Sequence, residues 1–154
     1  MERNQKKIRL WIFLVICNIL FIWGNSLLPG SVSGAISKFV SHVVYQVILG
    51  WPDHGGGGHG LLRKVAHFTE FACLGIFTCR LLCWLKKPQC LALGVAFLVA
   101  CCDETIQRFV PGRGPSFRDV MIDTSGAAVG MVLLFVGYAY VKRRKKQATE
   151  EDNQ

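Results

Sequence analysis

The chain has 154 residues, of which 51% are hydrophobic and 18% charged, with a formal net charge of +8 and a positive mean hydropathy. That balance excludes an ordinary soluble domain and a disordered chain. The basic residues lie in short runs beside apolar stretches rather than in one patch, so they argue against nucleic acid as a partner and for membrane topology.

Apolar windows near the ~20 residues that cross ~30 Å of hydrocarbon fall at residues 8–28, 61–85, 89–108 and 117–141. Lipid offers no hydrogen bonds to a backbone, so each window must satisfy its amides internally as a helix. The expectation is an all-α integral membrane bundle of four transmembrane helices plus one short amphipathic or re-entrant helix. Residues 1–141 form the membrane domain and 142–154 a basic, then acidic, cytoplasmic tail with a frayed end.

The first window follows "ERNQKKIR" and precedes "SVSGA", a combination that resembles a signal peptide with a cleavage site. Its apolar core is too long for that, and it reads as an uncleaved anchor. In "SGAISKFVSHVVYQVILG" the apolar residues Ile36, Phe39, Val40, Val43, Val44, Val47 and Ile48 recur at helical spacing, with Ser37, Lys38, Ser41 and Gln46 mostly opposite. An amphipathic helix on the outer surface, or one entering part-way, fits that pattern. "WPDHGGGGHG" then interrupts the chain. Asp53, His54 and His59 there could meet a metal, but glycine-rich backbone does not preorganise ligands, and a solvated linker is the favoured reading.

The second window opens with Lys64, His67 and Glu70 at i, i+3 steps on one helix face. Glu70 would sit roughly 14 Å inside the boundary at 1.5 Å per residue, where a carboxylate needs protein, water or a partner. The bland account is an internal Lys64–His67–Glu70 pairing. The third window ends on Asp103, Glu104 and Gln107. Adjacent acids cannot both face the bundle axis, so one should point at His67 and the other at Arg108 or the following loop; Glu104 is the slightly favoured inward residue over Asp103. "VPGRGPS" is a tight turn that fixes Arg113. Ser116 precedes Asp119 by three, matching a capping box, which gives Asp119 a structural role without chemistry. Asp123 lies one turn deeper, and Gly126 with Gly130 forms a GxxxG that allows close helix approach, within the chain or in a homo-oligomer.

Counting Lys and Arg by side puts twelve on the face that carries both termini and six on the other, which makes both termini cytoplasmic. Five of the outer six cluster near the ends of the second, third and fourth windows. They either pair with neighbouring acids or hold an anionic ligand such as a lipid phosphate. The polar groups therefore converge on an outward-facing cavity. His67, Glu70, Asp103, Glu104 and Asp119 are the candidate catalytic groups, with Lys64, Gln107, Arg113, Arg118 and Asp123 as substrate-binding ones. No cofactor is called for, and whether a metal binds is left open. The seven cysteines lie in or beside the apolar windows without a CxxC and read as small hydrophobes.

At "NSLLPG" (25–30), "KVAHFTEFACLG" (64–75) and "DETIQRFVPGRGPSFRDVMIDTSGAAVG" (103–130) the chain resembles the VanZ-like family, named for a protein linked to teicoplanin resistance. The resemblance spans about two-thirds of the chain and implies a small bacterial integral membrane protein. Its polar motif residues would be Lys64, His67, Glu70, Asp103, Glu104, Gln107, Arg113, Asp119 and Gly126. Asp123 stands where an asparagine is frequent in that family. The resemblance implies an association with glycopeptide resistance but no reaction. Three functions follow: binding or modifying an anionic or lipid-linked envelope component at the outer leaflet, a non-catalytic structural or binding bundle, or a small proton-coupled transporter.

Overall fold

The computed structural model describes residues 2–43 and 58–151. Five helices form there and no strand is present among the described residues: α1 (Glu2–Ser26), α2 (Gly30–Val43), α3 (Gly58–Trp84), α4 (Leu91–Gln107) and α5 (Phe117–Glu151). The all-α expectation holds. Asp53 and His54, and the linker around them, lie outside the described residues.

Three of the four windows become helices long and apolar enough to cross a membrane: Asn4–Ser26, Leu61–Trp84 and Phe117–Glu150. The third window does not reach that length. Asp103 and Glu104 end its apolar run after ~12 residues, about 18 Å of helix, and α4 is 17 residues in all. Among the described residues, three helices rather than the expected four are thus candidate spans, with α4 a shorter helix packed against α1, α3 and α5.

Large apolar side chains point outward, including Phe13, Leu20, Leu98, Leu133 and Val136, while Ser26, Asp103, Glu104, Gln107 and Asp123 are buried. This reverses the order of a water-soluble protein. It is the arrangement a bundle needs when its solvent is hydrocarbon. Helix α3 is central and touches each of the other four. Its contact with α5 is close because small residues line it: a Cβ built at Gly126 would overlap the Phe68 carbonyl, one at Gly130 the Ala72 carbonyl, and one at Gly75 the Ala127 carbonyl. The glycine pair foreseen as an approach surface is therefore used inside the chain, against α3.

Helices α1, α3, α4 and α5 alternate in direction, so the start of one meets the end of the one before it. At one end the start of α1, the end of α3 and the middle of α5 share aromatic and basic contacts. Lys7 lies over the Trp84 ring at 4.8 Å, and Arg80 lies over Trp11 at 5.5 Å and donates to the Tyr138 hydroxyl at 2.9 Å. Helix α3 stops there in a Schellman arrangement, with Lys86 N–H on the Cys83 carbonyl, Lys87 N–H on the Leu82 carbonyl, and Lys86 at φ 55 ahead of Pro88.

Helix α2 turns Ser33 and Ser37 into the bundle while Val32 and Phe39 are exposed, so its apolar stripe faces outward, and residues 44–50 of the expected amphipathic stretch lie outside the described residues. The basic stretch continues α5 as helix to Glu151, supported by helix-forming residues and an i, i+4 pair, Lys146–Glu150 at 3.6 Å, and residues 152–154 lie outside the described residues.

The glycine packing is testable. Gly126→Ala and Gly130→Ala should each destabilise the chain by about 1–3 kcal/mol, because the clash is with backbone that cannot swing aside. Gly137→Ala, where nothing lies within 4 Å of the new methyl, should be neutral or slightly stabilising. Thermal unfolding in detergent separates the two cases.

Candidate functional site

At the opposite end of the bundle, four helix ends and one turn bring the polar motif residues together. Asp103, fully buried on α4, is the centre. Its Oδ2 accepts from the Ser26 hydroxyl at 2.8 Å and from Gln107 Nε2 at 2.8 Å, and Gln107 also donates to Ser26 Oγ at 3.2 Å. His67 Nδ1 on α3 stands 3.9 Å from the same Oδ2. A buried carboxylate needs its acceptors engaged, so these hydrogen bonds tie α1 to α4, with His67 of α3 at the same level.

The two neighbouring acids divide their roles in the opposite sense from that expected. Asp103, not Glu104, faces His67. Glu104 reaches forward to accept the Ser116 backbone N–H at 2.7 Å. Because α5 starts at Phe117, Glu104 satisfies a free amide at the head of α5, the task the capping box had assigned to Asp119. Asp119 instead faces Lys64 at 3.4 Å, with side chains 24% and 40% exposed.

The proposed internal pairing of Lys64, His67 and Glu70 does not form. Each residue of the α3 stripe meets a different element: Lys64 reaches α5, His67 reaches α4, and Glu70 Oε1 accepts from Asn25 Nδ2 on α1 at 2.8 Å. Successive i, i+3 positions share a face broadly, yet each step rotates by about 60° and so selects a different neighbour.

The turn after α4 is held by the turn after α1. Gly30 N–H donates to the Pro111 carbonyl at 3.1 Å, and a Cβ at Gly30 would strike the carbonyl of Gly112, itself at φ 76. This contact fixes Arg113, whose Nη2 donates to the Asn25 carbonyl at 3.0 Å. Its Nε and Nη1 are buried without a partner among the described residues. Burial draws the guanidinium below its ordinary pKa, and Arg63 nearby adds to that, while Asp103 and Glu104 work the other way.

Two cavities open onto this cluster and share Arg63 and His67. One, of about 260 Å³, lies between α1, α2 and α3 and has Arg113, Glu70, Asn25 and Ser37 on its polar side with Ile36 and Val65 on its apolar side. The other is narrow, about 10 Å³, and is lined by Lys64, Glu104, Gln107, Asp119 and Asp123 with the two shared residues. Of the predicted site residues, His67, Glu70, Asp103, Glu104, Asp119, Lys64, Gln107, Arg113 and Asp123 converge here. Arg118 does not: it is exposed and lines neither cavity. Asn25, Ser26 and Arg63 are added by the structure. "NSLLPG" had carried the family resemblance, but nothing in a lone Asn-Ser pair at the end of an apolar run reveals that it reaches residues 70 and 103.

These features define an all-α membrane protein with a buried polar cluster at one end of its bundle. The VanZ/LLP1 family model matches residues 9–138, and the chain belongs to that family. No curated protein and no solved structure matches it.

The exchange of roles between the two acids predicts a contrast. Glu104→Ala should cost about 1–3 kcal/mol by leaving the Ser116 amide unsatisfied. Ser116→Ala keeps that backbone donor and should cost well under half as much, whereas a working capping box would make Ser116 the costlier loss. Detergent unfolding of both variants measures the difference.

Proposed function

We propose that the chain binds an anionic, lipid-linked component of the bacterial cell envelope, with the phosphate held by Arg113 and Arg63 in the 260 Å³ cavity. The observation that carries this reading is Arg113. A guanidinium with two buried and unspent N–H donors has strong reason to meet an anion, and a planar fork suits phosphate oxygens. The cavity wall is mixed, cationic and polar on one side and aliphatic on the other, as a phospholipid-like ligand with a headgroup and a chain requires. Serines 33 and 37 add hydroxyls on the α2 wall, and the outward apolar stripe of α2 suits a lipid approach path.

The polar end faces the outer leaflet in this reading, and both termini are cytoplasmic. Support comes from the basic residues gathered at the other end, Lys7, Arg80 and the run from Lys142 to Lys146, together with the aromatic residues that sit beside them. Helix α4 then returns the chain across most of the bilayer. Binding an outer-leaflet phosphate would alter how a glycopeptide such as teicoplanin meets its target, which links the site to the resistance from which the family takes its name. His67 and Glu70, on the cavity wall, are the groups that would move a proton if the bound phosphate is also processed.

A structural role is the second reading, favoured by the Ser26–Asp103–Gln107 hydrogen bonds, which hold α1 and α4 in register without any ligand.

The readings differ in a binding measurement. Arg113→Ala should weaken retention of anionic phospholipid by at least tenfold in native mass spectrometry of the detergent-purified chain, with Arg118→Ala unchanged. Equal retention in all three proteins would support the structural role. Orientation is tested separately: in a chain with its seven cysteines replaced, Gly114→Cys should react with an impermeant maleimide on intact cells and Lys146→Cys only after membrane rupture. The reverse pattern would invert the topology.

A further inference from the structure

His67, Asp103 and Asp123 come from three different helices, and one ligating atom from each lies within 4.8 Å of the others. Asp103 is fully buried, Asp123 is 2% exposed and the His67 side chain 11%. Their bonding capacity is not used up by the protein. Asp103 spends Oδ2 on Ser26 and Gln107 but leaves Oδ1 without a partner, and His67 Nδ1 has none either. At 3.9 Å from Asp103, that nitrogen is beyond hydrogen-bond reach. Among the described residues nothing donates to the Asp123 side chain. Two carboxyl groups brought together in a site of low dielectric avoid repulsion either by one of them keeping its proton or by a positive charge between them, and a divalent cation supplies that charge. Among the described residues no side-chain cation lies within ion-pair distance of Asp123: Lys64 pairs with Asp119, and the hydrogen bond that Arg113 Nη2 makes goes to the Asn25 carbonyl.

We infer that His67, Asp103 and Asp123 form a binding site for one divalent first-row transition ion of the zinc or manganese class. One imidazole nitrogen and two carboxylate oxygens are a donor set such ions accept, and two carboxylates neutralise a doubly charged ion. Calcium, which takes six to eight oxygen ligands, is poorly matched. Bonds of about 2.0–2.2 Å require donor separations on the order of 3.3 Å in a tetrahedron, so the outer torsions of His67 and Asp123 must turn inward from the described spacing. The hydrogen bonds from Ser26 and Gln107 hold Asp103 in place, as the outer partners of a ligating carboxylate do. The narrow cavity, lined by both His67 and Asp123, has room for about one water, which would fill an open coordination position. This inference uses donor atoms distinct from the Arg113 donors and does not depend on the phosphate reading.

Cobalt(II) titration of the full chain, purified in detergent and stripped with chelator, tests it. The expected result is saturation at one cobalt per chain, with visible ligand-field bands, no thiolate charge-transfer band, and displacement by zinc. Asp123→Asn and His67→Gln should each weaken binding at least tenfold while far-ultraviolet circular dichroism stays helical. Asp123→Cys should introduce a thiolate band and gives a readout that does not depend on loss. The inference is overturned if cobalt does not saturate, if the unsubstituted chain shows a thiolate band from its own cysteines, or if both Asp123→Asn and His67→Gln bind as the unsubstituted chain does.

Discussion

The constraint on which the rest depends is the burial of Asp103. A carboxylate with no exposure, inside a bundle whose outer surface is built for hydrocarbon, cannot be satisfied by solvent. It must be satisfied by other helices. Ser26 from α1 and Gln107 one turn along α4 answer that need through hydrogen bonds, and His67 from α3 stands at the same level, so three separate motifs meet there. The glycine contacts between α3 and α5 add the fourth element, because only a close approach of those backbones lets Asp119 and Asp123 reach the same region. Polar satisfaction and small-residue packing are therefore two parts of one construction: the first sets the height of each helix and the second its distance.

Around this fixed centre the molecule keeps unspent capacity. Among the described residues, Arg113 has two buried donors without partners, and Asp103 and His67 each have an unpartnered atom. A network evolved only to hold helices together would be expected to close on itself, since each unsatisfied buried group costs about 1–3 kcal/mol. Part of that surplus borders the cavities. Arg113 lines the larger cavity, and His67 borders both, so donors and acceptors are presented where a ligand could meet them.

Much of this was legible in the sequence, for a physical reason. Charged residues in apolar windows are so costly that their positions alone mark the buried end of the bundle, and nine of the ten predicted site residues do meet there. The exception, Arg118, follows from helical geometry: next to Asp119 in the first turn of α5, it is turned about 100° away from it, and the preceding turn's Arg113 occupies the inward position. The choice between Asp103 and Glu104 was not legible, because it depends on how the loop to α5 folds back to place the Ser116 amide. Nor were the roles of Asn25 and Ser26, short polar side chains whose partners lie 45 and 77 residues away. The contact of the serine face of α2 with the bundle was not legible, because spacing shows that a helix is amphipathic but not which element its polar stripe meets.

The central claim is that α1 and α4 meet through Asp103 rather than merely lying side by side. A double-mutant cycle between Ser26→Ala and Asp103→Asn, measured by unfolding in detergent, addresses it most directly. Contact through the 2.8 Å hydrogen bond predicts a coupling energy of about 0.5–1.7 kcal/mol. Additive effects, with coupling indistinguishable from zero, would contradict it.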